Sequence, residues 1–290
     1  MMVARAGHVN SLVAAVLAAA SVSCGPSRDS GDGDGNTGPD ACTGLECQVQ
    51  NCAANGQPPT TLTGVVYAPN GTLPLVGADI YIPRDPLPGI PDQLTCGACS
   101  AGLPGSPVTY TKSDATGSFT LTNVPVGANI PLVISIGKWR RELTLSNVPA
   151  CTNTALVADD TRLPRTQSEG HIPRIALTTG EYDSLECLLR KLGIADSEIT
   201  SSGQPGRVHL YQGNGVAQFA PGFGISGGQT LFSAQGLWNS PAALANYDIL
   251  LLSCEGSQES DLSPKSQQQL VNMKQYADLG GRVFASHWHN

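Results

Sequence analysis

The chain has 290 residues and a formal net charge of −7, from 16 basic and 23 acidic side chains, with aromatic residues at only 5%. That balance argues against nucleic acid or an anionic lipid surface as the main partner, and the few aromatics argue against a stacking platform. With 33 Gly and 21 Pro, turns and loops take a large share of a length that suits about two domains of 100–200 residues.

The first 23 residues carry the pattern of an export signal. Arg5 and His8 precede an apolar core from Leu12 to Val22, and small residues lead to Cys24. The core is about half the roughly 20 apolar residues that a membrane-spanning helix needs. Residues 24–58 then form a linker. Gly25 to Asp40 is almost wholly Gly, Asp, Ser, Asn, Pro and Thr, which cannot bury enough apolar surface to offset its ordering entropy. Asp32 and Asp34 have the spacing of a calcium loop without the rest of that motif, so a solvated linker is the reading.

Nine cysteines become an even eight if Cys24 is modified. In an oxidising compartment Cys42, Cys47, Cys52, Cys96, Cys99, Cys151, Cys187 and Cys254 are disulfide candidates, each bridge contributing about 2–4 kcal/mol. The sequence leaves the pairing of the first six open, and it reads Cys254 as either buried or disulfide-bonded, with Cys187 as the partner on offer. Cys96-Gly97-Ala98-Cys99 has a spacing that also serves zinc or a redox dithiol, but it stands alone in a Gly/Pro loop.

Residues 59–165 read as short strands between turns: Leu62 to Tyr67, Ala78 to Ile82, Val108 to Thr111, Ser118 to Thr122, Leu132 to Ile136 and Arg140 to Leu145. Asp114-Ala115-Thr116-Gly117 is expected to make a hairpin turn, and Leu132, Ile134 and Ile136 share one face of a half-buried strand. With no helical stretch, an antiparallel β-sandwich is the natural solution. Trp139-Arg140-Arg141 could meet a sugar or a carboxylate, although an exposed strand edge explains it as well.

Residues 166–290 change pattern. Ile175 to Gly180 opens an α/β half. Asp183 and Glu186 have capping-box spacing ahead of Leu185, Leu188, Leu189 and Leu192, and Gly193 stops that helix. Arg207 to Tyr211 is a strand. The Gly-rich stretch from Asn214 to Gln235 lacks the register of a dinucleotide fingerprint and is expected to be a lid or packed surface loop. Ile249 to Leu252 suits a strand buried on both faces. Ser263-Pro264 reads as an N-cap and first helical position, Leu270, Met273 and Ala277 as an apolar face, Gly280-Gly281 as the stop, and Arg282 to Ser286 as a second buried strand.

The order strand, helix, strand, loop, strand, helix, strand predicts a flavodoxin-like parallel sheet with its site at the carboxyl ends of the strands. The fold expected overall is multidomain, an antiparallel β-sandwich followed by a truncated flavodoxin-like α/β domain. Ending at Asn290 directly after a strand, the α/β domain is expected to be incomplete, with a bare sheet edge. Thr179, Glu181, Gln212, Glu255, Ser286, His287 and His289 would line the strand-end rim. His287 and His289, with Glu255 on the neighbouring strand, are candidate metal ligands, and His287 and Glu255 candidate catalytic groups. Polar strand ends that simply meet water are the other reading, and no cofactor is required. Cys254 is a weaker candidate nucleophile, because Leu252 stands where a tight elbow needs a small residue.

Three segments carry resemblances. Ser21-Val22-Ser23-Cys24 resembles a bacterial lipobox with Ser21 in place of the usual leucine, which implies acylation of Cys24. Gly25 resembles the outer-membrane sorting pattern of Gram-negative lipoproteins, so a lipid-anchored envelope protein is expected. Thr63-Gly64-Val65-Val66-Tyr67, Gly77 to Ile82, Thr111 to Leu121 and Val124-Pro125-Val126-Gly127 resemble the carboxypeptidase regulatory-like domain. That is a transthyretin-like sandwich of the carbohydrate-binding-like fold, and this chain departs from it by an insertion from Arg84 to Ser106. Tyr247 to His287 resembles the class I glutamine amidotransferase-like superfamily in its ThuA-like branch, with His287 where amidotransferases have cysteine. The resemblances imply a non-catalytic binding or structural module for glycan or envelope protein. The alternative they leave is a ThuA-like enzyme or ligand-binding domain using His287, His289 and Glu255 on a sugar-like substrate.

Overall fold

The computed structural model describes residues 44–95, 102–256 and 265–287. The expected export signal, Cys24 with the expected Gly/Asp-rich tether, Cys42, Cys96 and Cys99, Ser263-Pro264 and His289 lie outside the described residues. The chain is a mixed β and α/β protein in which two antiparallel-rich sheets and one parallel sheet share an apolar seam.

The sandwich begins earlier than the sequence suggests. Short turns at Leu45–Gln48 and Cys52–Asn55 hold the end of the expected linker against it. Leu45 packs on the core, Val126 donates its amide to the Gln48 carbonyl at 3.0 Å, and Cys52 is bridged to Cys151. Cys47 is disulfide-bonded as well. Strands β1 (Thr61–Val65), β2 (Asp79–Pro83), β3 (Pro107–Lys112), β4 (Ser118–Thr122), β5 (Gly127–Ile136), β6 (Trp139–Val148) and β7 (Asn153–Ala155) follow. Among the described residues one sheet runs β4-β1-β7 and the other β3-β2-β5-β6. Leu62, Ile80, Ile82, Leu121, Ile130, Leu132 and Ile134 are all 0% exposed between them, each stabilising by about 1.5–3 kcal/mol relative to exposure.

Two expectations are corrected here. The sandwich is not wholly antiparallel, since β7 pairs parallel with β1. The turn at Asp114 joins strands of different sheets, because β3 pairs with β2 while β4 pairs with β1. It is an inter-sheet corner in which the Asp114 carboxylate accepts from the Thr116 and Ser118 amides at 2.8 and 3.0 Å. A short helix, α1 (Ala158–Thr161), closes this half.

The α/β half contains β8 (Ile175–Thr178), α2 (Leu185–Lys191), β9 (Ile199–Ser201), β10 (Val208–Gln212), β11 (Phe232–Ser233), α3 (Ala234–Trp238), α4 (Pro241–Leu244), β12 (Ile249–Leu252), α5 (Gln267–Asp278) and β13 (Arg282–Ala285). Among the described residues the strand order is β11-β10-β8-β12-β13, with β9 on β10, and every pair is parallel. The Gly-rich stretch is a packed loop rather than an open lid. Phe219 is buried and stacks on Phe223 at 5.6 Å, although Phe232 stays exposed.

Helix α5 is inside out relative to its sequence pattern. Its N-cap is Ser266, in a capping box with Gln269. The buried stripe is Gln269, Asn272 and Tyr276, while Leu270 is 41% exposed. The Gln269 amide donates to Asn239 Oδ1 and the Asn272 amide to the Trp238 carbonyl, both at 3.0 Å, and Tyr276 donates to the Tyr247 carbonyl at 3.2 Å. Strand β13, expected to be buried, is exposed along its length because its one strand neighbour among the described residues is β12. Leu188 of α2 likewise faces solvent, leaving Leu189 as the buried contact with Leu185 and Leu192 beside it.

The seam between the halves carries Ile136, Trp139 and Leu163 from the sandwich against Ile175, Ile249 and Leu251 from the parallel sheet. Residues 84–95, the first described part of the insertion, strap it. Arg140 donates to the Pro88 carbonyl at 3.0 Å, Lys138 to the Pro91 and Gln93 carbonyls at 3.1 and 2.7 Å, and Arg207 to Asp92 at 2.7 Å. Gly193 ends α2 with φ of 95°, and an added Cβ there would lie 2.3 Å from the Asn70 amide nitrogen, so only glycine lets the helix end meet the sandwich.

Candidate functional site

In the order β10-β8-β12-β13 the chain moves outward from β8 in both directions, which sets a topological switch point beyond the carboxyl ends of β8 and β12, the place where sheets of this kind form a ligand crevice. Four loops meet there without room for side chains. A Cβ on Gly213 would stand 2.3 Å from the Thr179 carbonyl, and one on Gly180 would stand 2.3 Å from the Cys254 carbonyl. Thr179 fastens the floor, donating its hydroxyl to the Val216 carbonyl at 3.0 Å and accepting from the Gly213 amide at 3.2 Å.

The carboxylates have distinct surroundings. Glu255 is 0% exposed. Its Oε2 accepts from the Asn214 amide at 2.9 Å, and the Asn214 side chain returns a bond to the Glu255 carbonyl at 3.0 Å. Glu255 therefore locks two loops together instead of projecting from the rim. Lys265 lies in its field, with its ammonium 4.3 Å from the Trp238 ring centroid. Burial lowers the Lys265 pKa and the Glu255 charge opposes that shift.

Asp183 was expected to cap α2 and does something else. Ser184 occupies the N-cap position without a side-chain bond. The Asp183 carboxylate instead accepts from the Cys254 amide at 2.6 Å and from the Ser286 hydroxyl. One aspartate thus ties together the segments after β8, β12 and β13. Its position directly before a helix was a signal for a cap, and sequence spacing gave no sign of its bond to a strand some 70 residues away (|i−j| = 71).

Of the other rim residues, Ser286 points to Asp183, Glu181 is exposed and Gln212 is half-buried at the end of β10. His287 places Nδ1 3.7 Å from the Cys254 sulfur. Among the described residues no three His, Cys, Asp or Glu side chains converge as a metal set, so Glu255 and His287 do not complete one within that part of the chain. The expected Cys187–Cys254 pairing is corrected. Both are free thiols, Cys187 exposed on α2 and Cys254 buried at the end of β12. The two sit on different elements with different exposures, and Cys254 has turned to the imidazole. Trp139, Arg140 and Arg141 serve packing: Trp139 touches both cores, and Arg141 donates to the Arg162 carbonyl at 3.1 Å.

A cavity of about 660 Å³ lies apart from the crevice, between α2 and the packed loop, with Cys187, Arg190, Leu210, Phe219 and Phe223 in its wall. Deeper in the α/β half, His209 Nδ1 meets the Tyr247 hydroxyl at 2.8 Å, and that hydroxyl meets Tyr211 at 2.7 Å. Burial lowers the His209 pKa and raises that of Tyr247, which favours the neutral form of each.

No helix among the described residues is long and apolar enough to cross a membrane. No family model matches the chain, and no curated protein matches it. Two crystal structures overlap it in part, both of interface mutants of a type II cohesin–X-dockerin complex from Acetivibrio cellulolyticus. The C-terminal interface mutant is 14% identical with a TM-score of 0.23, covering 49% of this chain and 76% of that one. The N-terminal interface mutant is 14% identical with a TM-score of 0.24, covering 47% and 85%. Overlaps this low bear on neither fold nor function.

Proposed function

We propose that this chain is an exported envelope lipoprotein that binds a small polyol, such as a sugar, in the crevice beyond β8 and β12. In this reading Cys24 carries the lipid, and Gly25 directs the protein to the outer membrane of a Gram-negative cell. A carboxypeptidase regulatory-like sandwich is the scaffold, and a flavodoxin-like α/β half related to the ThuA-like branch holds the ligand. The protein acts as a binding module. The observation that supports the reading is the strand order, whose reversal lies beside β8, where sheets of this kind take their ligands. The rim chemistry suits hydroxyl groups. Tyr182 is 72% exposed, and its ring lies against Gly256, where an added Cβ would be 2.2 Å from it. Glu181, exposed and next to that ring in sequence, offers an acceptor.

The test is calorimetric titration of the full chain with neutral oligosaccharides, beside Tyr182→Ala. Loss of the ring should weaken binding about tenfold, or about 1.4 kcal/mol. Absence of binding across the panel at millimolar concentration would sink the crevice reading. Palmitate labelling that survives Cys24→Ser would sink the anchor.

A further inference from the structure

We propose that Cys254 and His287 form a nucleophile–base pair that hydrolyses small uncharged or cationic carboxylic esters through a thioester. The pair follows from register. Leu252 on β12 lies opposite Ala285 on β13, so two residues further on Cys254 and His287 come face to face. The result is a sulfur–Nδ1 distance of 3.7 Å, within reach of a thiol hydrogen bond. The thiol is free, unlike Cys52 and Cys151 of the sandwich. Cys254 is 4% exposed, and the exposed imidazole beside it gives the line of approach. Asp183 acts as a positioning residue, since it accepts from the Cys254 amide at 2.6 Å and from Ser286 next to His287. It fixes both members of the pair from a third loop. The amidotransferase resemblance has its thiol at position 287, where this chain has imidazole, so the pairing is one that resemblance does not supply. Lys265 offsets Glu255, and Glu181 and Asp183 leave an excess of negative charge near the pair, which disfavours an anionic acyl group.

The chemistry balances with water alone. His287 takes the Cys254 proton as sulfur attacks the acyl carbon, so an S–C bond forms. The ester C–O bond breaks, and the leaving alkoxide takes the proton from the imidazolium. A water then attacks the thioester while His287 accepts its proton. The S–C bond breaks, the carboxylic acid leaves and the proton returns to sulfur.

The exposed thiol of Cys187 is a built-in reference, being free and, among the described residues, without a hydrogen bond to an imidazole. The native full chain is treated with p-nitrophenyl acetate at neutral pH, and acetyl adducts are mapped by mass spectrometry while nitrophenol release is followed. The expected result is a stoichiometric burst with acetylation at Cys254 about tenfold or more faster than at Cys187, followed by slow turnover. Cys187→Ser should keep the burst. His287→Gln should slow acetylation of Cys254 about a hundredfold and remove the imidazole limb from its pH profile. Because the wild-type comparison needs no substitution, a misfolded Cys254→Ser variant would not blunt the test. Acetylation at Cys187 first, or a rate at Cys254 indifferent to His287→Gln, would overturn the proposal.

Discussion

Asp248 offers the sharpest test of how the two halves are joined. Its side chain is 2% exposed and that of Lys138, at the β5–β6 turn, is 14% exposed, with 2.5 Å between charges. The contact is an ion pair rather than an aligned hydrogen bond. Removing one partner of a buried pair costs about 3–5 kcal/mol, because the survivor is left charged in a poor solvent. In Asp248→Asn, Lys138 still has the Pro91 and Gln93 carbonyls at 3.1 and 2.7 Å, so the expected loss is at the low end, about 3 kcal/mol. In Lys138→Met, Asp248 keeps only the Arg174 amide at 2.9 Å among the hydrogen bonds to its side chain, and about 3–4 kcal/mol is expected. The double variant, with no net charge to strand, should lose only about 1 kcal/mol, since neutral replacement of a whole pair is often close to silent. Urea unfolding followed by tryptophan fluorescence reads the effect, because Trp139 lies in the seam and Trp238 in the α/β core. Singles within about 0.5 kcal/mol of wild type that add in the double would refute the reasoning. The Lys138–Asp248 pair would then add nothing to the joining of the halves.

The Cys52–Cys151 bridge closes a sequence separation of 99, for which chain entropy predicts about 4.7 kcal/mol. A Cys52→Ala plus Cys151→Ala variant should lose several kcal/mol in urea, and a loss below about 1 kcal/mol would show that the reduced chain is already restrained there. Glu169 accepts two bonds from the Arg162 guanidinium at 2.7 and 2.8 Å, and that contact holds its pKa down to about 2. A depressed carboxylate stabilises the fold above its unfolded pKa, and that gain is lost as pH falls from about 4.5 towards about 2. The full shift corresponds to about 3 kcal/mol, and with the side chain 29% exposed solvent screening leaves about 1–2 kcal/mol, counted once for the pair. Glu169→Gln should flatten that stretch of an acid-unfolding curve, and an unchanged curve would contradict the assignment. Gly213→Ala would bring a Cβ to 2.3 Å from the Thr179 carbonyl and 2.7 Å from Glu255 Oε1. The loops should separate at a cost of about 1–3 kcal/mol, seen as a lower melting temperature together with weaker crevice binding. An unaltered melting temperature would mean the loops are not in contact in solution.

Alternating or unbroken apolar runs named β4, β8, β10 and β12 within a residue or two, because strand periodicity and turn residues are local properties. The βαβ order also carried the parallel sheet, since handedness leaves few ways to connect such elements. Periodicity says that a helix has faces without saying which face a neighbour will cover. In α5 the stripe of Leu270 lost to the stripe of Gln269 and Asn272, because amides on α3 and its flank could satisfy those side chains when buried. Asp183 sat where a cap belongs, yet the Cys254 amide from a distant strand competed for it and won. The same holds for the thiols. Counting cysteines suggested that Cys254 would seek Cys187, whereas only the register of β12 against β13 could put it beside His287. The composition of residues 84–95 marked an irregular insertion, and only the folded chain decided that it straps the seam. What the sequence determined by itself was each element and its local period; which surfaces met was decided by tertiary structure, since a buried polar group takes whichever partner the whole fold brings within reach.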